Sequence, residues 1–417
     1  MSYLKYALAI LLALCLGKAA EAKTTLSINF THDNVTVNGR LQLPNGNGPY
    51  QVIIVAPGSG ANDKDGTLAM SGGNTMCLYP GLNGQTLRPY LGLSEAFSDS
   101  GFAVLTYDKI EYTYPSPPAP ITFHKLWLPV ESAIKYLKTR SDIDTNNIVL
   151  LGHSEGSTLI PYIARSQKSI SAMISLAGPR RPLDSILAYQ LPYIATTCGG
   201  DVNAANQQAA QILAYFNDIR TGNWNSSTPP VFGVSAAVWS DYIKVADSVS
   251  INYNLANRQT LFVGLGDDIN VPPAVELTRF QSEITLGSDF YLVPGINHYL
   301  TTVNDPSTSE VVTDTIVYWL RRHTFPASVP VVSDKSNSVS VFPCPAKDVV
   351  TIDYLLQHEG ALLTVYNVYG VKLTEIKLDN RKGNKTVSIA ALPAGVYTYV
   401  ASDSGLVVKT GKLVVAK

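Results

Sequence analysis

The sequence predicts a doubly wound, mostly parallel α/β domain with a small all-β domain behind it. Three observations point there. First, between residues 51 and 295 short apolar runs recur at 52–56, 102–107, 148–152, 172–177, 260–264 and 290–293, with Gly, Pro or Asp at or just beyond their ends. Continuous apolar runs without strict alternation fit strands buried on both faces, as in a parallel sheet. Second, helical patterns separate them. Residues 127–140 carry Val130, Ala133, Ile134 and Leu137 on one stripe, and strand, helix, strand repeated in this way gives a doubly wound sheet. Third, the composition changes after His323, where a Pro-, Ser- and Val-rich linker at 326–337 precedes short alternating strands at 349–354, 362–368, 371–378, 396–402 and 406–415.

The remaining elements follow in order. Lys5, the uncharged apolar run 7–16 and the small-x-small triplet Ala20-Glu21-Ala22 describe a signal peptide over 1–22, too short to span a bilayer. Residues 25–43 alternate around Asp33-Asn34 and predict an antiparallel hairpin at the sheet edge. The α/β domain then runs over 23–325. Within it, residues 182–258 lack a strong strand and carry helical stretches at 204–218 and 235–249, so they are expected to form a helical cap. Residues 338–417 form the antiparallel sandwich, with a lone His358 and no carboxylate cluster.

Composition excludes several classes. Lys plus Arg number 31 against 32 Asp plus Glu, so no global field attracts nucleic acid or anionic lipid. No transmembrane segment is expected in the mature chain. The 6 His are scattered, with no His-x-x-x-His or Cys-x-x-Cys, and neither metal nor cofactor is expected. Cys15 leaves with the leader. Cys77 lies downstream of the first core strand and Cys198 in the cap; both meet an oxidising compartment, and a disulfide between them is expected.

The chemistry lies at Gly152-His153-Ser154-Glu155-Gly156, directly after a strand. A Ser on a sharp strand-to-helix turn needs neighbours without side chains two residues away on either side, and the helix beginning there directs backbone N–H groups at developing negative charge. Pro161 should distort that helix. A hydroxyl nucleophile needs a base, and the base an orienting acid, in the chain order Ser, acid, His. After Ser154, His298 is the one His on a post-strand loop of the α/β domain, and Asp267 and Asp268 follow the strand at 260–264. The turn Pro57-Gly58-Ser59-Gly60 after the first core strand is expected to supply one oxyanion donor, the Ser59 N–H, beside that of Glu155. No Gly-Lys-Ser/Thr follows it, which excludes a phosphate cradle.

Residues 23–325 resemble exported α/β-hydrolases of the dienelactone-hydrolase and serine-aminopeptidase-like group, close to bacterial carboxylesterases. The resemblance is carried by residues 58–65, by Val104-Leu105-Thr106-Tyr107-Asp108-Lys109, by the elbow, and by Pro294-Gly295-Ile296-Asn297-His298. It implies a secreted serine hydrolase acting on a small-molecule ester through Ser154, His298 and an acid three residues before Val271-Pro272, which is Asp268. Adjacent side chains diverge on an extended loop, so Asp267 should face away. Two departures bear on substrate range: Pro57 stands where a His is usual, and Ile110-Glu111-Tyr112 replaces the usual Arg-Gly. A peptidase on the same triad would need an acid for a substrate amine, which Glu155 or the cap could supply; an inactive binding protein would not need the triad. The tail resembles the sorting domain of the type IX secretion system through residues 341–346, 365–370, 392–397 and 412–415, and implies passage through the periplasm to the cell surface or medium.

Overall fold

The computed structural model describes residues 23–32, 34–115, 122–285, 287–323, 338–356, 358–366, 372–403 and 406–416. The expected signal peptide (1–22), the linker 326–337, Asp33 of the hairpin turn and residues 367–371 of the tail lie outside them. The chain divides into two compact units, residues 1–317 and 318–417, the division falling within the α-helix Glu310–His323.

The first unit is built on eight strands: β1 (Thr24–His32), β2 (Val35–Leu43), β3 (Tyr50–Ala56), β4 (Ala103–Tyr107), β5 (Ile143–His153), β6 (Ile170–Leu176), β7 (Gln259–Leu265) and β8 (Ser288–Val293). Their order across the sheet is β1-β2-β4-β3-β5-β6-β7-β8. The expected hairpin is β1 against β2, closed at His32 and Val35, with Asn34 at positive φ. β2 pairs antiparallel with β4, and every later pair is parallel. Val52, Ile53, Ile54, Leu150 and Ile174 are fully buried, as strands covered on both faces require. Each such side chain contributes about 1.5–3 kcal/mol of transfer free energy.

The helices that follow these strands are α1 (Pro89–Asp99), α2 (Phe123–Leu137), α3 (Gly156–Ser166), α4 (Leu183–Cys198), α5 (Val202–Thr221), α6 (Ala236–Ala246), α7 (Val249–Ala256) and α8 (Pro273–Glu283). α2 begins earlier than its apolar stripe suggests, because the Thr122 side chain caps it by accepting from the Lys125 amide. α3 runs through Pro161 without interruption. Proline removes the N–H that would bond the Ser157 carbonyl, and Tyr253 Oη donates to that carbonyl instead, at 2.8 Å. Residues 182–258 carry α4 to α7. The last of these, α7, takes the ordinary crossover position between β6 and β7, burying Val249, Tyr253 and Ala256 in the main core. α4, α5 and α6 are pinned together by Arg220, which binds Asp184 and Asp247.

The second unit contains two antiparallel sheets. One holds β9 (Ser338–Phe342), β10 (Val349–Leu355) and β13 (Lys382–Ser388); the other holds β11 (Ala361–Tyr366), β12 (Lys372–Leu378), β14 (Gly395–Asp403) and β15 (Leu406–Val415). Ile352 and Tyr354 from the first sheet share one apolar core with Leu363, Leu378, Tyr399 and Leu413 from the second. β9 and β13 are additions to the strands expected from sequence. β13 reads Lys-Gly-Asn-Lys-Thr-Val-Ser and has no buried residue, so no apolar alternation marks it.

Candidate active site

The site is assembled at the carboxyl ends of β3, β5 and β7 and the loop after β8. At the end of β5 the chain turns straight into α3, and Ser154 sits at φ 53°, in the left-handed region that non-glycine residues rarely adopt. The flanking glycines are sterically required. A Cβ on Gly152 would lie 2.4 Å from the Gly156 carbonyl oxygen, and one on Gly156 would lie 2.1 Å from that of Ala56 in β3. Ser154 is held by its own amide, which donates to the Leu176 carbonyl at 2.9 Å, and by its carbonyl, which accepts from the Ser157 amide and hydroxyl.

Two loops converge on Ser154. His298 Nε2 lies 3.1 Å from Ser154 Oγ, and His298 Nδ1 lies 2.7 Å from Asp268 Oδ2. The other oxygen of Asp268 accepts from the Asn270 and Val271 amides, both at 2.8 Å, so the carboxylate is oriented by its own loop. Asp268 is an acceptor here, and therefore Nδ1 carries the proton and Nε2 faces the serine hydroxyl with its lone pair. All three side chains are buried. Asp267, the adjacent candidate, is exposed.

The loop after β3 completes the constellation. Gly58 packs so closely that a Cβ there would come within 3.2 Å of Ser154 Cβ. Among the described residues, the Ser59 and Glu155 amides have no protein acceptor, while the Gly58 amide is engaged: it donates to Tyr90 Oη at 2.8 Å. Tyr90 and His153 form a chain that the sequence reading missed. His153 Nε2 lies 2.9 Å from the His298 carbonyl, which can only accept, so His153 Nδ1 accepts from Tyr90 Oη at 3.0 Å. Burial pushes the His153 pKa down to about 3, helped by the nearby His298 ring and opposed by the bond to the His298 carbonyl. Burial likewise raises that of Tyr90, so its hydroxyl keeps the proton it donates. One hydrogen-bonded line thus runs from the Gly58 loop through the elbow to the His298 loop.

A second cluster lies on the other side of Gly58. Lys109 Nζ donates to the Gly58 carbonyl at 3.0 Å and to Glu155 Oε2 at 3.0 Å, with Glu111 at 3.4 Å. Tyr242 Oη, from α6, donates to the other Glu155 oxygen at 3.2 Å. The Glu155 carboxylate is therefore committed to Lys109 and Tyr242, which removes it as a free acid for a substrate amine. The insertion reaches the site at two further points: Gln190 of α4 donates to the Asn270 carbonyl at 2.9 Å, and Cys198 at the end of α4 is joined to Cys77, Cα–Cα 5.4 Å. The expected disulfide is present. Among the described residues, no group of three or more His, Cys, Asp or Glu is placed to hold a metal, and no helix is long and apolar enough to cross a membrane.

The strand order, with a serine elbow after the central β5, defines the first unit as an α/β-hydrolase. Parts of the chain are similar to known proteins. Residues 130–284, which hold Ser154 and Asp268, match the family BAAT / Acyl-CoA thioester hydrolase C terminal, and residues 340–416 match the Secretion system C-terminal sorting domain. Esterase EstD of Thermotoga maritima is 30% identical over 170 residues, 40% of this chain and 37% of that relative's length. The esterase domain of a Rhodothermus marinus protein covers 72% of this chain and 100% of its own, at 13% identity and a TM-score of 0.45. Est1E from Butyrivibrio proteoclasticus covers 71% and 98%, at 16% identity and 0.45.

Proposed function

We propose that the chain is an exported serine hydrolase that cleaves carboxylic esters through an acyl-enzyme. The observation that carries this is the unbroken chain from Ser154 Oγ to His298 Nε2 and from His298 Nδ1 to Asp268 Oδ2. In this reading Ser154 Oγ attacks the ester carbonyl while His298 Nε2 takes its proton. Asp268 holds the imidazole in the required tautomer and stabilises the imidazolium. The Ser59 and Glu155 amides, which have no protein acceptor among the described residues, receive the oxygen that becomes negative. Collapse of the tetrahedral adduct expels the alcohol with the proton from His298, and water repeats the cycle on the acyl-enzyme. The kinship to a thioester-hydrolase family is compatible with the same sequence of steps, a thiol leaving in place of the alcohol.

The tail supports delivery by the type IX secretion machinery, leaving the enzyme outside the cell or on its surface. One experiment addresses both parts. Protein lacking residues 338–417 is expected to turn over p-nitrophenyl esters at the full-length rate, to leave aminoacyl-anilides intact, and to remain periplasmic when expressed in the native host. Preference for the anilides would sink the esterase reading, and release of the truncated chain into the medium would sink the export role.

A further inference from the structure

Gly58 is gripped at both of the peptide units it joins, in a way that the triad does not need. Its amide is held by Tyr90, and its carbonyl by two donors, Asn62 Nδ2 at 3.0 Å and Lys109 Nζ at 3.0 Å. That carbonyl belongs to the same planar unit as the Ser59 N–H. The Gly58–Ser59 bond is trans, so the two groups point in opposite directions. Whatever fixes the carbonyl on one side therefore aims the N–H on the other. A cation on the carbonyl oxygen also polarises the unit and makes its N–H a stronger donor, as chains of hydrogen bonds do in a low-dielectric interior.

We propose that Lys109 is a positioning residue of the oxyanion hole, whose buried ammonium orients and polarises the Gly58–Ser59 peptide so that the Ser59 N–H meets the reacting oxygen. The inference rests on the esterase reading above and goes beyond it by naming the group that sets one of the two donors. Lys109 is 4% exposed, and among the described residues three groups face its ammonium: the Gly58 carbonyl, Glu155 and Glu111. Burial opposes its charge, but Glu155 and Glu111 outweigh burial and hold its pKa above the ordinary lysine value, so the cation persists. Glu155, which contributes the other oxyanion amide, is bound by the same ammonium. A single charge thus ties together the two chain segments whose amides must face one oxygen. Asn62 alone would orient the carbonyl; only Lys109 brings charge to it.

The test compares two inhibitors of the full-length protein. A trifluoromethyl ketone adds Ser154 Oγ to its carbonyl, passes the serine proton to His298 and places a full oxyanion in the hole. The matching methyl alkyl ether fits the same site without adding. Lys109→Met should weaken the trifluoromethyl ketone about 100-fold, and Lys109→Gln, which keeps a neutral donor, about tenfold, each with the ether within about threefold of wild type. Lys109→Arg should restore most of the ketone affinity. If Lys109→Met does not fold by circular dichroism, the ketone-to-ether ratio in Lys109→Gln decides. Equal weakening of both inhibitors would make Lys109 a general structural support and overturn the proposal, as would unchanged ketone affinity. Failure of the esterase reading looks different: wild-type protein would then form no adduct at Ser154 and bind ketone and ether alike.

Discussion

The two halves of the site are built by opposite means. The elbow is set locally: Gly152 and Gly156 admit the turn, Ser154 takes the strained φ, and the helix starts at the next residues. The oxyanion loop is set from a distance. Gly58 is fixed by Tyr90 at the start of α1, by Lys109 after β4 and, through Tyr90, by His153, so the loop's geometry depends on residues 32 to 95 positions away. The local half is a sequence motif. The distant half exists only once the sheet is assembled.

The elbow serine works through His298 and its acid, and disturbing that acid tests how the triad is assembled. Asp268→Asn would still accept from the Asn270 and Val271 amides but would no longer stabilise an imidazolium or dictate the Nδ1–H tautomer. It should lower kcat by about ten-thousand-fold with little change in KM, while the exposed Asp267→Asn should stay within about tenfold. Steady-state kinetics on one p-nitrophenyl ester measure both, and the reverse ranking would move the orienting acid to Asp267.

That prediction also marks how far the sequence was legible. The elbow motif and the strand ends pointed to Ser154 and His298, and the family resemblance, through the Val271-Pro272 pair, favoured Asp268 over Asp267. The six apolar runs marked β3 to β8, and the alternation at 25–43 marked the hairpin of β1 and β2. Tyr90, by contrast, follows Pro89 at the start of a helix and reads as an ordinary core aromatic. Its partners, Gly58 and His153, lie in other segments. Lys109 was visible only as part of a family resemblance, with no sign that its ammonium ends on a carbonyl. The rescue of Pro161 by Tyr253 spans two helices and has no local signature. β5 was foreseen from 148 but begins at Ile143, since its first turn of sequence, Asp144-Thr145-Asn146-Asn147, is polar and strand-poor by composition.

The distant half has a smaller, pH-dependent signature. His153 is neutral in the fold with its pKa lowered to about 3, whereas an unfolded histidine titrates near 6.5. The unfolded chain therefore binds the extra proton first as pH falls. The stability from a neutral His153 is complete above about pH 6.5 and is lost progressively toward pH 3, at up to about 1.4 kcal/mol per pH unit. His153→Gln can keep both hydrogen bonds without titrating. Urea unfolding from pH 7 to pH 4 should give the variant the shallower decline, and parallel curves would show that His153 does not carry this linkage.

The central claim is that Ser154 is a nucleophile activated by His298, and covalent labelling tests it most directly. Wild-type protein treated with a fluorophosphonate, digested and mapped by mass spectrometry should carry the adduct on the peptide containing Gly152-His153-Ser154, at Ser154. Ser154→Ala should keep the wild-type circular dichroism, take up no label and lose roughly a million-fold in kcat. An adduct on a different serine, or a Ser154→Ala protein that labels and turns over esters as before, would contradict the account.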